Sequence, residues 1–164
     1  MKLNRERFSF YFWFIPIVFA FHNAEEYYFF PKMRYLQTVH IEESLVQEKQ
    51  FLVAIILLTI VVFAVICIHY FARKQATLYA VLLVQSIILM NAFVHSIGAI
   101  VTKGYVPGLM TAFILIIPFS ILFFREGIKS RWWKEKHIII LSIIGLLLMV
   151  PVIIGTLLLA KLFI

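Results

Sequence analysis

The chain has 164 residues, 63% of them hydrophobic and 14% charged, with a formal charge of +7 and a mean hydropathy of +1.00. Soluble domains are about 45–50% apolar and about 25% charged, so the composition excludes an ordinary soluble domain and indicates an integral membrane protein of one domain. Nucleic acid is not an expected partner, because the basic residues are scattered between apolar runs and do not gather on a soluble face.

The length accommodates about five spans of roughly 20 residues each, and the expected fold is an all-α polytopic membrane helix bundle. Residues 1–7 form a short basic tail. The first span is expected over about 8–30, rich in phenylalanine, with Pro16 as a kink point. It runs into HNAEE without a small-residue cleavage pattern, so it reads as a retained span and not a signal peptide. Residues 31–50 are the one substantial polar segment, expected to lie at the interface, with His40 a solvated loop residue or a lid over a site.

The second span, about 51–71, holds Cys67, the only cysteine, which excludes a disulfide framework and a cysteine-based metal knuckle. The third, about 76–101, carries Asn91, His95, Gly98 and Thr102 at i, i+4, i+7 and i+11, one polar and small-residue stripe. Gln85 and Ser86 lie deeper and read as packing groups. A tight connection follows, with Gly104 suited to a helix C-cap and Pro107 to the first helical position of the next span. The fourth span, about 107–124, is interrupted by Pro118. Its basic exit loop bears Trp132 and Trp133, read as an interfacial aromatic belt, and His69 and His137 likewise read as interfacial. The fifth, about 138–163, is featureless apart from Pro151 and Gly155, and no internal repeat is visible.

Alternate sides of such a bundle carry unequal basic charge. Lys2, Arg5, Arg7, Arg73, Lys74 and the five basic residues of 125–136 make ten on one side, against five on the other (Lys32, Arg34, Lys49, Lys103, Lys161). The bias predicts an N-inside, C-outside protein, expected in the cell membrane.

Within the first span, His22, Glu25 and Glu26 stand at i, i+3 and i+4 and share one helix face. An ionisable side chain in a span costs roughly 2.5–3.5 kcal/mol on insertion scales, so three together call for a functional reason. Span counting brings His95 to a depth roughly 10 Å below the Thr102 end of its helix, level with this trio, and the Tyr105 hairpin and Thr111 arrive from above. HNAEE, the histidine of NAFVH and YVPG together resemble the HXXEE family of integral membrane proteins. That resemblance covers most of the chain from His22 to Gly108 and beyond; it implies a multi-spanning protein in which these residues matter and leaves the reaction open.

Imidazole and carboxylate together suit zinc first, and iron or manganese next. His22, Glu26 and His95 are the expected ligands of a divalent metal, leaving a position open. Glu25 is the expected general base, as a glutamate serves in H-x-x-E-H and H-E-x-x-H peptidases, an analogy of geometry alone. A modest rotation of the helix would exchange Glu25 and Glu26. Asn91 and Tyr105 are expected to orient a ligand or polarise a substrate carbonyl. Two plainer alternatives stay open: the acids mark the interfacial helix end and pair with Lys32 or Arg34, and Asn91 with His95 is hydrogen-bonding glue between helices.

The expected function is hydrolysis of an ester or amide in a lipid or lipid-like molecule that enters from the bilayer, with nonhaem-iron oxidation of a lipid as a variant. The alternative class is a non-enzymatic transporter subunit, proton relay or partner-binding protein. Five spans without an inverted repeat count against carriage by a monomer, an objection that an oligomer would remove.

Overall fold

The computed structural model describes residues 9–31 and 46–164. The basic tail, residues 32–45 of the interfacial segment with His40, and the partners Lys32 and Arg34 lie outside the described residues. Among the described residues every regular element is a helix. A 3-10 turn at Phe10–Trp13 leads into α1 (Phe14–Tyr28), followed by α2 (Glu48–Ala72), α3 (Gln75–Thr102), α4 (Leu109–Lys129) and α5 (Glu135–Ala160), which ends in a 3-10 turn at Lys161–Phe163. The helices α2 to α5 are each long and apolar enough to cross a membrane, which makes this a multi-pass membrane protein. Helix α1 has 15 residues. With its leading turn it reaches about 30 Å at the usual rises of 1.5 and 2.0 Å per residue, close to the hydrocarbon thickness.

The central element is α3, which packs against α5, α2 and α4, while α1 docks on α2 and on the start of α4. The core joins Ile15 and Phe19 of α1 to Val62 and Ile66 of α2, Val81, Leu82 and Ile88 of α3, and Ile116 and Phe123 of α4. Polar groups help pin the helices where lipid offers no competing water. Gln85 donates to Ser120 across α3 and α4 at 2.7 Å, and Gln50 donates to the Leu157 carbonyl across α2 and α5 at 2.9 Å.

Three junctions depart from expectation. The left-handed residue closing α3 is Lys103 (φ 50°), not Gly104, and Pro107 precedes the helix instead of opening it, because Gly108 at φ 88° turns the chain before Leu109. Pro118 follows a widened π-turn at Ala112–Ile116; proline lacks the N–H and crowds the preceding turn, and a widened turn relieves both. Trp133 is not part of an exposed belt. It is 4% exposed, its indole N–H donates to the Phe124 carbonyl at 3.3 Å, and its ring lies where a Cβ on Gly127 would fall, 2.0 Å away. Gly127→Ala should therefore destabilise the fold by about 1–3 kcal/mol, the usual cost of overpacking a core, read as a lower thermal midpoint in detergent.

Candidate metal centre

The C-terminal ends of α1 and α3 and the start of α4 meet around His22. One turn apart on α1, His22 and Glu26 turn toward α3, where Asn91 and His95 stand one turn apart on the facing side. His22 is fully buried, Glu26 has a side chain 12% exposed, and His95 is 9% exposed. Glu26 Oε1 lies 2.8 Å from His95 Nε2 and 3.4 Å from His22 Nε2. The Asn91 amide nitrogen lies 3.0 Å from His22 Nε2 and 3.2 Å from His95 Nε2. The two imidazole rings meet edge to face at 5.0 Å.

The far side of His22 is held by the hairpin. Thr111 Oγ1 donates to the Gly108 carbonyl at 3.3 Å, which leaves the hydroxyl oxygen to accept from His22 Nδ1–H at 2.8 Å. This arrangement directs the lone pair of His22 Nε2 toward Glu26 and His95, the orientation that a second-sphere donor contact gives to a ligating histidine. His95 Nε2 cannot both donate to Glu26 and accept from Asn91. A cation among these atoms, with the Asn91 amide turned to present oxygen, would satisfy all of them; amide orientation follows from its partners. His22, Glu26 and His95 offer ligand atoms within 4.8 Å of one another, and the group could hold a metal ion.

Glu25 takes a different part. One oxygen accepts from the Tyr105 hydroxyl and from the Met110 N–H at 3.0 Å, and the other accepts from the Thr111 N–H at 2.6 Å. The carboxylate thus caps the exposed N–H groups that begin α4 and ties the hairpin to α1. Burial, and then the Glu25 carboxylate beside it, push the Tyr105 hydroxyl above the usual tyrosine range, so it remains a donor at neutral pH. The neighbouring Asn23 makes its bonds away from the histidines, donating to the Ile55 carbonyl and to Thr59 on α2.

Gly108, the last residue of YVPG, does more than turn the chain. A Cβ there would stand 2.7 Å from His22, 3.1 Å from His95 and 3.2 Å from Glu26. The main chain of the hairpin therefore rests directly on the three candidate ligands. Its signal in the sequence was the glycine of YVPG, and nothing in the letters distinguished a turn from a close approach.

The model of a family described as a protein of unknown function with HXXEE motif matches residues 13–123. The chain belongs to the HXXEE family. The matched range of this HXXEE protein runs from the start of α1 to Phe123 in α4 and so contains every residue of the cluster and its hairpin. No curated protein and no solved structure matches it.

Expected site residues thus separate into two linked groups. His22, Glu26, Asn91 and His95 come together in one cluster, and Glu25 and Tyr105 bond to each other in the hairpin clamp. Thr111 joins the two, through its hydroxyl to His22 and through its main chain to Glu25. The two other described histidines take other partners: His69 bonds Thr77 at 2.9 Å, and His137 accepts from the Lys134 N–H at the start of α5.

Proposed function

We propose that this protein is a membrane-embedded, metal-dependent enzyme that hydrolyses an ester or amide bond in a lipid-like molecule. The observation that carries the reading is where the cluster stands. Asn23, Glu26, Asn91 and His95 lie on the wall of an otherwise apolar cavity of about 550 Å³ between α1, α2, α3 and α5, a volume suited to a small organic ligand. From His95 the wall continues along α3 to Val84, about 16 Å at 1.5 Å per residue, roughly half the hydrocarbon thickness. A chain from one leaflet fits that depth with its polar end at the cluster. Val61, Val94 and Val150 line the cavity while 56, 41 and 52% exposed, so access is from the membrane face of the bundle.

In this reading His22, Glu26 and His95 hold a divalent ion, zinc before iron or manganese, because two imidazoles and one carboxylate form a common catalytic zinc set. The ion would supply Lewis-acid polarisation of the substrate carbonyl. Asn91 orients ligand or carbonyl. Glu25 acts as a base only when the hairpin releases it; closed over the site, it positions Thr111 and through it His22. The basic bias supports an amino terminus inside and a site toward the outer leaflet, in a protein of the cell membrane on this reading. Membrane lipids are the only partners this chemistry requires.

Elemental analysis of detergent-purified protein tests the reading: about one ion per chain is expected, and none in His22→Ala or His95→Ala. Ala54→Phe, which fills the cavity beneath the site, should keep the ion and block processing of the substrate lipid, seen as the same lipid accumulating as in a deletion strain. Wild-type protein without a stoichiometric ion removes the enzyme reading. It would leave the second one, a proton-handling network, which the unbroken contacts from His95 through Glu26 and His22 to Thr111 favour.

A further inference from the structure

A second cavity, of about 580 Å³, lies at the end of the bundle opposite the His/Glu cluster, where the start of α1, the α2–α3 connection and the loop after α4 meet. Arg73, Lys74 and Arg131 line it, and no carboxylate does among the described residues. The acids that flank the adjoining loop are not on the cavity wall: Glu126, near the end of α4, faces Lys129 at 3.6 Å, and Glu135 opens α5.

Two features make this more than a positive belt. Arg73 and Arg131 both hold left-handed backbone, at φ 49° and 58°, which costs a side-chain-bearing residue conformational energy that glycine avoids. Charge is thus kept at two positions where the backbone alone favours glycine, and both charges meet at one cavity. In addition, α3 begins there. Gln75 lines the cavity, and the preceding Lys74 supplies no side-chain cap, so the first N–H groups of a 28-residue helix add to the same positive field. Phe12 and Trp132, in edge contact at 5.3 Å, form an apolar wall beside these charges.

We propose that this cavity binds the phosphate group of a membrane phospholipid whose headgroup is net anionic, with Arg73, Lys74, Arg131 and the α3 N-terminus around the anion, where a choline cation would be repelled, and the Phe12–Trp132 wall against the first carbons of the lipid. Basic pockets between spanning helices at a membrane surface recognise anionic headgroups in this way. The site stands apart from the metal centre and does not depend on its chemistry.

Native mass spectrometry of the full chain, titrated with short-chain phosphatidylglycerol, phosphatidylcholine or inorganic phosphate, tests the proposal. Phosphatidylglycerol should be retained more strongly than phosphatidylcholine. Arg73→Gly and Arg131→Gly, substitutions that relieve the backbone and so preserve folding, should each weaken phosphatidylglycerol about fivefold, the usual effect of one basic residue at a membrane surface. Arg125→Gln and Lys136→Gln, in the same basic region but off the cavity wall, should leave it unchanged. Displacement of the lipid by millimolar inorganic phosphate would uphold the phosphate site and make the free anion a ligand too; failure to displace would uphold it for the lipid alone. Equal retention of the two lipids, or an Arg125→Gln loss as large as that of Arg73→Gly, would overturn it.

Discussion

Gly108→Ala should reduce retention of the proposed ion more than tenfold, while the helical content stays intact. The added Cβ would stand 2.7 Å from His22 Cε1, closer than real side chains approach, and within 3.2 Å of both His95 and Glu26. The three proposed ligands would have to move at once. The hairpin cannot retreat easily, because Glu25 holds it through Tyr105 and two main-chain N–H groups, and Gly108 itself sits at φ 88°, where alanine costs roughly 1–2 kcal/mol. Gly104→Ala is the matched control: its nearest neighbour would be the Thr102 carbonyl at an ordinary 3.7 Å. Metal content and circular dichroism of the two variants, purified in parallel, check the result. Full metal retention in Gly108→Ala would mean that the hairpin does not rest on the ligands.

The all-helical bundle was legible because apolar runs of spanning length leave few alternatives in a membrane, where backbone groups must bond within their own segment. The cluster was legible for a related reason. His22 and Glu26 at i, i+4 and Asn91 and His95 at i, i+4 each define a helix face, and polar faces in a bilayer must turn toward one another. What escaped depended on contacts between distant segments. Trp133 reads as interfacial by its lysine neighbours, yet the flat gap over Gly127 takes it into the core. The roles of Glu25 and Glu26 hinge on the 100° between successive residues of one helix. Only the position of the hairpin decides which carboxylate meets the histidines and which meets the start of α4.

That division is directly measurable, because the two acids should fail in opposite ways when each is changed to glutamine. Glu26→Gln keeps the shape of the side chain and removes the charge that stands 2.8 Å from His95 and 3.4 Å from His22. Ion retention should fall at least tenfold, with little loss of stability in the ion-free state. Glu25→Gln should keep most of the ion and lower stability, since one of the two acceptor oxygens is replaced by an NH₂ that faces another donor. A hydrogen bond to a charged group contributes about 1.5–3 kcal/mol in water-soluble proteins, while polar contacts between membrane helices average nearer 0.6. The hairpin lies at the end of the bundle, between these settings, and a loss of about 2 kcal/mol is expected. Tyr105→Phe removes one of the three donors and should reproduce part of that loss with the ion retained. Thermal unfolding and elemental analysis on the same samples separate the outcomes. An ion lost from Glu25→Gln and kept by Glu26→Gln would exchange the two roles, and with them the face that α1 turns to the site.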